Sequence, residues 1–132
     1  MIVLDTHAWI WFVDAPEKLG AKAMKAILAT RKAGEPLRVS AISVWEIYML
    51  CVKGRLQLSV APDIWVSRCE RLEELRFVPV DNTIARLSVD QCGTLHADPA
   101  DRIIVATTLY LGAHLITCDE RIKTSRLVPC IW

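Results

Sequence analysis

Short apolar runs alternate with longer amphipathic segments along the chain. The short runs have the length of buried strands and predict strands at residues 2–4, 37–40, 77–80, 114–117 and 127–131. Apolar positions at helical spacing predict helices at residues 8–13, 19–33, 41–52, 64–75, 82–91 and 99–111. Strands that alternate with helices are typical of a mostly parallel sheet with helices on both faces, so the pattern predicts an α/β fold.

Length and composition indicate one folded domain. A chain of 132 residues fits a single domain of ordinary size, which we expect to span residues 1–132. With 53% hydrophobic and 23% charged residues, the composition excludes a disordered chain. The 16 basic and 15 acidic residues leave a net charge of +1. Nucleic acid would therefore have to bind through a local basic patch or a metal ion.

The five cysteines do not form a recognisable metal or disulfide pattern. Their number is odd and no two lie at C-x-x-C spacing, so the cysteines indicate neither a zinc site nor a disulfide framework, and a reduced cytoplasmic compartment fits best. The start of the chain lacks the basic segment of a signal peptide. The longest uncharged run, residues 103–118, is shorter than the roughly 20 apolar residues of a membrane span, so we expect no membrane association.

Four acidic residues hold related positions in this pattern. Asp5 comes directly after the predicted strand at residues 2–4. Asp119 comes after the predicted strand at residues 114–117, with one residue between them. Glu46 lies early in the helix that follows the second strand, and Asp101 lies in the first turn of the helix at residues 99–111. Because parallel strands end where the following helices begin, we expect all four at one edge of the sheet, where open α/β sheets place their binding crevice.

Most of these acids also have a purely structural interpretation. Asp5 and Asp119 are common turn residues, Asp98 suits the cap of the helix that begins at residue 99, and Asp101 complements the dipole of that helix.

Glu46 is harder to explain structurally. It is the only charged residue between Arg38 and Lys53, and acids are rarely buried without a partner. No basic residue close to it in sequence is an evident partner, so Glu46 indicates a polar cavity.

A cluster of carboxylates is unstable by itself. Two like charges 4 Å apart repel by about 4 kcal/mol at an effective dielectric constant near 20. Several such pairs rival the 5–15 kcal/mol stability typical of a domain. The acids must therefore lie apart, take up protons or bind a cation. Oxygen ligands without a His or Cys pattern favour Mg²⁺ or Mn²⁺ and, with them, phosphodiester hydrolysis.

The chain resembles the PIN-domain proteins, specifically the VapC-type toxin ribonucleases of toxin–antitoxin pairs. Four segments carry the resemblance in the family's order: residues 3–9 (VLDTHAW), 40–47 (SAISVWEI), 96–106 (HADPADRIIVA) and 115–120 (LITCDE). The resemblance implies an α/β/α sandwich with a central parallel sheet. It also implies a Mg²⁺- or Mn²⁺-dependent endoribonuclease.

The resemblance assigns the site residue by residue. The family's acids fall on four positions: Asp5, Glu46, Asp101 and Asp119. Auxiliary positions fall on Asp98, an outer acid, and on Thr6 and Thr117, which support the site through hydrogen bonds. Cys118 and Ala100 depart from the family pattern, but neither replaces a ligand.

The expected mechanism gives the acids two different roles, metal binding and activation of water. We expect Asp5, Asp101 and Asp119 to hold the metal directly or through water. Glu46 would orient or deprotonate the attacking water, or complete the metal's ligands. His7 and His96 flank candidate acids, where they serve either proton transfer or structural hydrogen bonds.

The expected macromolecular partners are an RNA substrate, a cognate antitoxin protein and a second copy of the chain in a homodimer. Four basic residues are candidates for RNA phosphate contacts or else solvated surface charges: Lys53, Arg55, Arg121 and Lys123. Arg102 is a candidate partner for a neighbouring acid.

Other functions stay open or are disfavoured. A receiver domain needs a lysine after its last strand, which residues 127–132 lack, and a phosphatase of the Asp-x-Asp type needs an acid where His7 stands. A DNase uses the same metal chemistry. A non-catalytic PIN-fold module that binds RNA or protein is the main alternative.

Overall fold

The core of the protein is one parallel sheet, seen in a computed structural model that describes residues 1–132. Its strands are β1 (Ile2–Leu4), β2 (Leu37–Ser40), β3 (Leu75–Val78), β4 (His114–Ile116) and β5 (Cys130–Ile131). They lie in the order β3-β2-β1-β4-β5, and every neighbouring pair is parallel. The first strand of the chain is therefore the central strand of the sheet.

Seven α-helices connect and cover the strands. They are α1 (Thr6–Asp14), α2 (Ala21–Lys32), α3 (Ala41–Val52), α4 (Pro62–Glu70), α5 (Asn82–Asp90), α6 (Pro99–Leu111) and α7 (Glu120–Ser125). A single 3-10 turn, Pro16–Lys18, joins α1 to α2. None of the helices combines the length and apolar character that a membrane span requires.

Side-chain alternation along the strands divides the core into two layers. Ile2 and Leu4 belong to a layer shared with α1 to α4, whereas Val3 belongs to a layer shared with α5, α6 and α7. Successive residues of a strand point to opposite faces, so each layer takes every second apolar side chain of β1. Helices cover both faces of the sheet, which confirms the predicted α/β sandwich.

Two predicted boundaries in the middle of the chain are wrong. The helix expected at residues 64–75 is Pro62–Glu70, and the strand expected at residues 77–80 is Leu75–Val78. Leu75 continues the apolar spacing of α4, but it pairs with Leu37 in the sheet. Pro79 has no N–H group to donate and ends the strand.

The last part of the chain contains a helix that the pattern does not predict. Helix α7 has six residues, of which only Ile122 is buried. The sequence therefore has no apolar periodicity there that would predict a helix. The strand expected at residues 127–131 is only Cys130–Ile131, since Val128 packs in the core instead and Pro129 lacks an N–H group. The other elements begin and end within two residues of the predicted positions.

Candidate active site

Three of the four acids chosen from the sequence lie where strands end and helices begin. Asp5 follows β1 and caps α1, and Asp119 follows β4 and caps α7. Asp101 lies in the first turn of α6, and Glu46 lies within α3. Burial is the main cause of the raised pKa values of Asp5, Glu46 and Asp101; the charge of Asp101 adds to the first two, and the charge of Asp119 adds to that of Asp101. The tertiary structure thus brings the four carboxyl groups into one electrostatic neighbourhood.

Asp5 is buried, and both its carboxyl group and its backbone form hydrogen bonds. Its Oδ1 accepts from the Ala8 N–H at 2.7 Å, its own N–H donates to the carbonyl of Ile116 at 3.1 Å, and the Thr117 hydroxyl bonds its carboxyl group. Burial raises the pKa of Asp5 to about 6, against the hydrogen bonds that lower it. Near neutral pH this side chain therefore gains from a nearby cation.

Glu46 reaches the same region from α3. Burial raises its pKa, a hydrogen bond with the Thr6 hydroxyl opposes that rise, and the charges of Asp101 and Asp98 add to it. The Oγ1 of Thr6 lies 2.9 Å from the Oγ of Ser43. Thr6 and Ser43 are both buried, so their surroundings fix the position of the Thr6 hydroxyl group near Glu46. A carboxyl group with a raised pKa suits proton transfer near neutral pH.

Thr117 connects two of the acids. Its hydroxyl accepts a hydrogen bond from the backbone N–H of Asp119 at 3.1 Å and also bonds the Asp5 carboxyl group. Thr117 is fully buried, so this hydroxyl is fixed by its surroundings. The structure thus places both threonines assigned as auxiliary residues beside candidate acids, Thr6 beside Glu46 and Thr117 beside Asp5 and Asp119.

Asp101 is paired with a histidine. The Nε2 of His96 lies 2.5 Å from Oδ2 of Asp101, so this histidine forms a hydrogen bond with one of the candidate acids. Burial raises the pKa of Asp101, the contact with His96 lowers it, and the charges of Asp98 and Asp119 raise it further. The Nδ1 of His96 is buried without a hydrogen-bond partner.

Asp98 both caps a helix and lies in a group of possible metal ligands. Its Oδ1 caps α6 by accepting from the Ala100 N–H at 3.0 Å. The ligand atoms of His96, Asp98 and Asp101 also lie within 4.8 Å of one another, close enough to share one metal ion. His96 was not expected in such a group, because its five-residue separation from Asp101 crosses a loop and matches no ligand spacing.

Asp119 differs from the other acids because one arginine and two backbone N–H groups stabilise its charge. Partial burial alone would raise its pKa, but hydrogen bonds from the Arg121 side chain and from the N–H groups of Ile122 and Arg121 lower it. The Nη2 of Arg121 lies 3.2 Å from Oδ2 of Asp119 and 4.0 Å from Oδ2 of Asp101. Lys123 lies on the same helix and pairs with Glu120 at 2.7 Å.

A shallow opening leads away from the acids between α3 and α6. We call it the α3–α6 cleft. It has a volume of about 330 Å³, and its lining includes Glu46 and Asp98 as well as Lys53 and Arg55. The structure therefore places Lys53 and Arg55 in one cleft with two of the acids, whereas Arg121 and Lys123 lie on α7, where Arg121 contacts Asp119 directly.

Arg102 organises the loop before α6 and does not pair with an acid, contrary to expectation. Its guanidinium group donates to the carbonyl groups of His96 at 3.0 Å, Gly93 at 3.2 Å and Leu95 at 2.8 Å. One charged side chain thus closes the turn that presents His96 to Asp101.

Replacing Arg102 with alanine is expected to lower the free energy of unfolding by about 2 kcal/mol, since hydrogen bonds from a charged group each contribute about 1.5–3 kcal/mol and water replaces part of them. Urea unfolding measures this loss. Arg86→Ala, which removes an exposed arginine of α5, is the matched control. Equal stability of the two variants would show that the loop does not need Arg102.

Comparison with known proteins agrees with the fold. A family model described as PIN domain matches residues 2–126. The chain is 31% identical over 125 residues to ribonuclease VapC22 of Mycobacterium tuberculosis, an alignment that covers 95% of this chain and 92% of that protein.

Solved structures show the same fold. VapBC2 from Rickettsia felis bound to a promoter DNA fragment has a TM-score of 0.64 and 16% identity, covering 98% of this chain and 97% of that chain. A toxin–antitoxin complex from Klebsiella pneumoniae has a TM-score of 0.62 and 19% identity, covering 97% and 95%. The resemblance seen in the four sequence segments is confirmed, and the chain belongs to the PIN domain family, as a relative of VapC-type ribonucleases.

Proposed function

We propose that this protein is a Mg²⁺- or Mn²⁺-dependent endoribonuclease that hydrolyses RNA phosphodiester bonds as the toxin of a toxin–antitoxin pair. The observation that carries the proposal is the convergence of Asp5, Glu46, Asp101 and Asp119, three of which have raised pKa values. The 31% identity to a ribonuclease over nearly the whole chain supports the same class of reaction.

The donor set fits a hard divalent cation. Carboxylate oxygens dominate it, and carboxyl groups whose pKa values are raised by burial and by one another gain stability when a cation neutralises them. Asp5, Asp101 and Asp119 would hold the ion, with Asp98 as an outer ligand. Mg²⁺ or Mn²⁺, when bound, polarises a phosphate oxygen and lowers the pKa of bound water.

The protein side chains position the reactants. Thr117 orients Asp5 and Asp119, and the Thr6–Ser43 pair orients Glu46. Glu46, whose pKa is raised, would accept a proton from the attacking water or hold that water in line. Lys53, Arg55, Arg121 and Lys123 would contact RNA phosphates on either side of the reacting one.

The proposed partners follow from the same family. Solved structures with this fold include toxin–antitoxin complexes, so we propose that an antitoxin protein binds and inhibits this chain in the cytoplasm and that the chain forms a homodimer. A non-catalytic PIN module is the alternative. The presence of all four acids favours the enzyme, because a module that has lost its chemistry has no need to retain a cluster of mutually repelling carboxylates.

Cleavage of a structured RNA pool by the purified protein tests the proposal. We expect discrete cuts with Mn²⁺ or Mg²⁺, and none with a chelator or with Asp5→Asn. Asparagine has nearly the size of aspartate and still caps α1, so this variant removes charge with little change in shape. Cuts that persist in an identically purified Asp5→Asn protein would reveal a contaminating nuclease. Absence of cleavage and of metal binding in the wild type would favour the non-catalytic module.

A further inference from the structure

The α3–α6 cleft combines three kinds of surface in one short groove. Its acidic end holds Glu46 and Asp98, which belong to the candidate active site. Its lining also includes the apolar residues Met49, Leu50 and Pro99 and, just beyond the end of α3, Lys53 and Arg55. Trp45 also lines the groove beside Glu46.

Trp45 is unusually exposed for an aromatic side chain. Its exposed fraction is 52%, whereas Trp9 and Trp65 are buried in the core. Trp45 is therefore not required to fill the interior. An exposed indole beside a cluster of acids is a flat apolar surface available to a ligand.

Lys53 and Arg55 carry charges that the protein does not neutralise. Both side chains are exposed, and neither forms an ion pair or a side-chain hydrogen bond within the structure. Gly54, at φ 68°, makes the turn at the end of α3 that separates the two. By contrast, Arg121 and Lys123 are already paired with Asp119 and Glu120. The unneutralised positive charge near the acids thus lies in the cleft.

The spacing along α3 gives the groove a direction. Seven residues separate Glu46 from Lys53, which is about two helical turns or roughly 10 Å. A polymer with its reacting phosphate at the acids would extend its neighbouring units along this groove. A nucleotide matches the sequence of surfaces, since its base is flat and apolar on both faces and its phosphate is negative.

We propose that the α3–α6 cleft binds the unpaired nucleotides beside the scissile bond, with Trp45 stacked on a base and with Lys53 and Arg55 on the following phosphates. This inference rests on the proposed ribonuclease function. It assigns single-stranded RNA segments as the substrate class, because a base paired inside a duplex cannot present its face to a side chain. Aromatic stacking and a basic groove are the two elements of sequence-tolerant binding to single strands.

Cleavage kinetics test the role of Trp45. The substrate is a single-stranded RNA of about 12 nucleotides centred on a wild-type cut site, compared with the same RNA in a duplex. Trp45→Ala is expected to lower kcat/KM by about 5- to 150-fold, which corresponds to the loss of one stacked base. Trp45→Phe, which retains a stacking face, should recover most of this loss, and the duplex should be a poor substrate for every variant.

Tyr110→Ala is the matched control, since Tyr110 is 50% exposed on α6 and lies outside the cleft. It should cleave like the wild type. Stabilisation by Mn²⁺ should be unchanged in Trp45→Ala, which separates a substrate contact from damage to the acids.

Salt dependence tests the basic end without relying on cleavage. In an Asp5→Asn background, fluorescence anisotropy of the labelled RNA measures affinity at several salt concentrations. Lys53→Ala combined with Arg55→Ala should reduce the slope of log K against log salt by about 1.4, since each phosphate contact on a single strand contributes about 0.7.

The outcomes separate this inference from the proposed function. An active wild type with Trp45→Ala and the double basic variant unchanged would overturn the nucleotide subsite and leave the ribonuclease intact. The same result with a loss of antitoxin binding would assign the cleft to a protein partner instead. A wild type that neither binds nor cuts RNA would overturn both.

Discussion

Asp5→Asn is expected to stabilise the metal-free protein at neutral pH by about 2–3 kcal/mol. The Asp5 side chain is buried, and its pKa is raised from 3.8 to about 6, so ionisation costs about 1.36 kcal/mol for each unit of the difference. The asparagine side chain does not ionise, and its oxygen can accept the same hydrogen bond from the Ala8 N–H. The melting temperature should rise by roughly 10 °C for a chain of this size.

The pH dependence has a definite sign. In the wild type, folded Asp5 keeps its proton to a higher pH than unfolded Asp5 does, so its favourable contribution is complete below about pH 4 and is lost as the pH rises through about 6. The raised pKa values of Glu46 and Asp101 act in the same direction. The lowered pKa of Asp119 acts in the opposite direction.

Urea unfolding in chelator between about pH 4 and 8 measures this effect. The stability of Asp5→Asn should decline less with pH than that of the wild type. Asp5→Ala is the control for the cap, and it should be about 1 kcal/mol less stable than Asp5→Asn because it loses the bond to Ala8. An Asp5→Asn protein less stable than the wild type at neutral pH in chelator would contradict the pKa assignment. A stabilised variant that no longer cleaves RNA would show that this carboxylate is maintained for function at a cost in stability.

Asp101→Asn is expected to abolish most of the response to metal. At a Mn²⁺ concentration 100 times the dissociation constant, a bound ion stabilises the native wild type by about 2.7 kcal/mol. Asp101 interacts electrostatically with each of the other acids, since its charge acts on Asp5 and Glu46 and the charges of Asp98 and Asp119 act on it. Removing that charge should eliminate most of the Mn²⁺ stabilisation and slow RNA cleavage at least about 100-fold.

Thermal unfolding with and without Mn²⁺ and single-turnover cleavage are the two measurements. Asp90→Asn is the matched control, because Asp90 is an exposed acid at the end of α5 and forms no side-chain hydrogen bond. It should respond to Mn²⁺ like the wild type. Equal Mn²⁺ shifts in the wild type and in Asp101→Asn would remove Asp101 from the metal site. Loss of cleavage with the full Mn²⁺ shift would move its role from the metal to the substrate.

Much of the fold was predictable because burial is periodic. The apolar runs of the central strands and the apolar residues at helical spacing in the long helices are buried in the structure, as the pattern predicted. The predictions fail where few residues of an element are buried, or where one apolar residue fits the pattern of two neighbouring elements. Helix α7 has one buried side chain, and Leu75 satisfies the apolar pattern of α4 while pairing with β2.

The position of the acids was predictable for a different reason. Asp5, Asp119 and Asp101 lie at junctions between elements, and parallel strands bring such junctions to one edge regardless of the strand order. Glu46 was identifiable by contrast, as one charge in a long apolar segment. These inferences depend only on order along the chain and on the direction of strands.

What the sequence determined by itself is therefore the fold class, the family and the residues that a sheet edge would collect. Tertiary structure alone decided the contacts across that edge: His96 against Asp101, Thr117 between two acids, Arg102 on three carbonyl groups, and Trp45 in a cleft with Lys53 and Arg55. Hydrophobic periodicity in the sequence reflects the burial of single residues, and each residue is buried or exposed according to its own position in a strand or helix. Hydrogen bonds, pKa shifts and clefts depend on the distances between residues remote in sequence, and only the packed structure sets those distances.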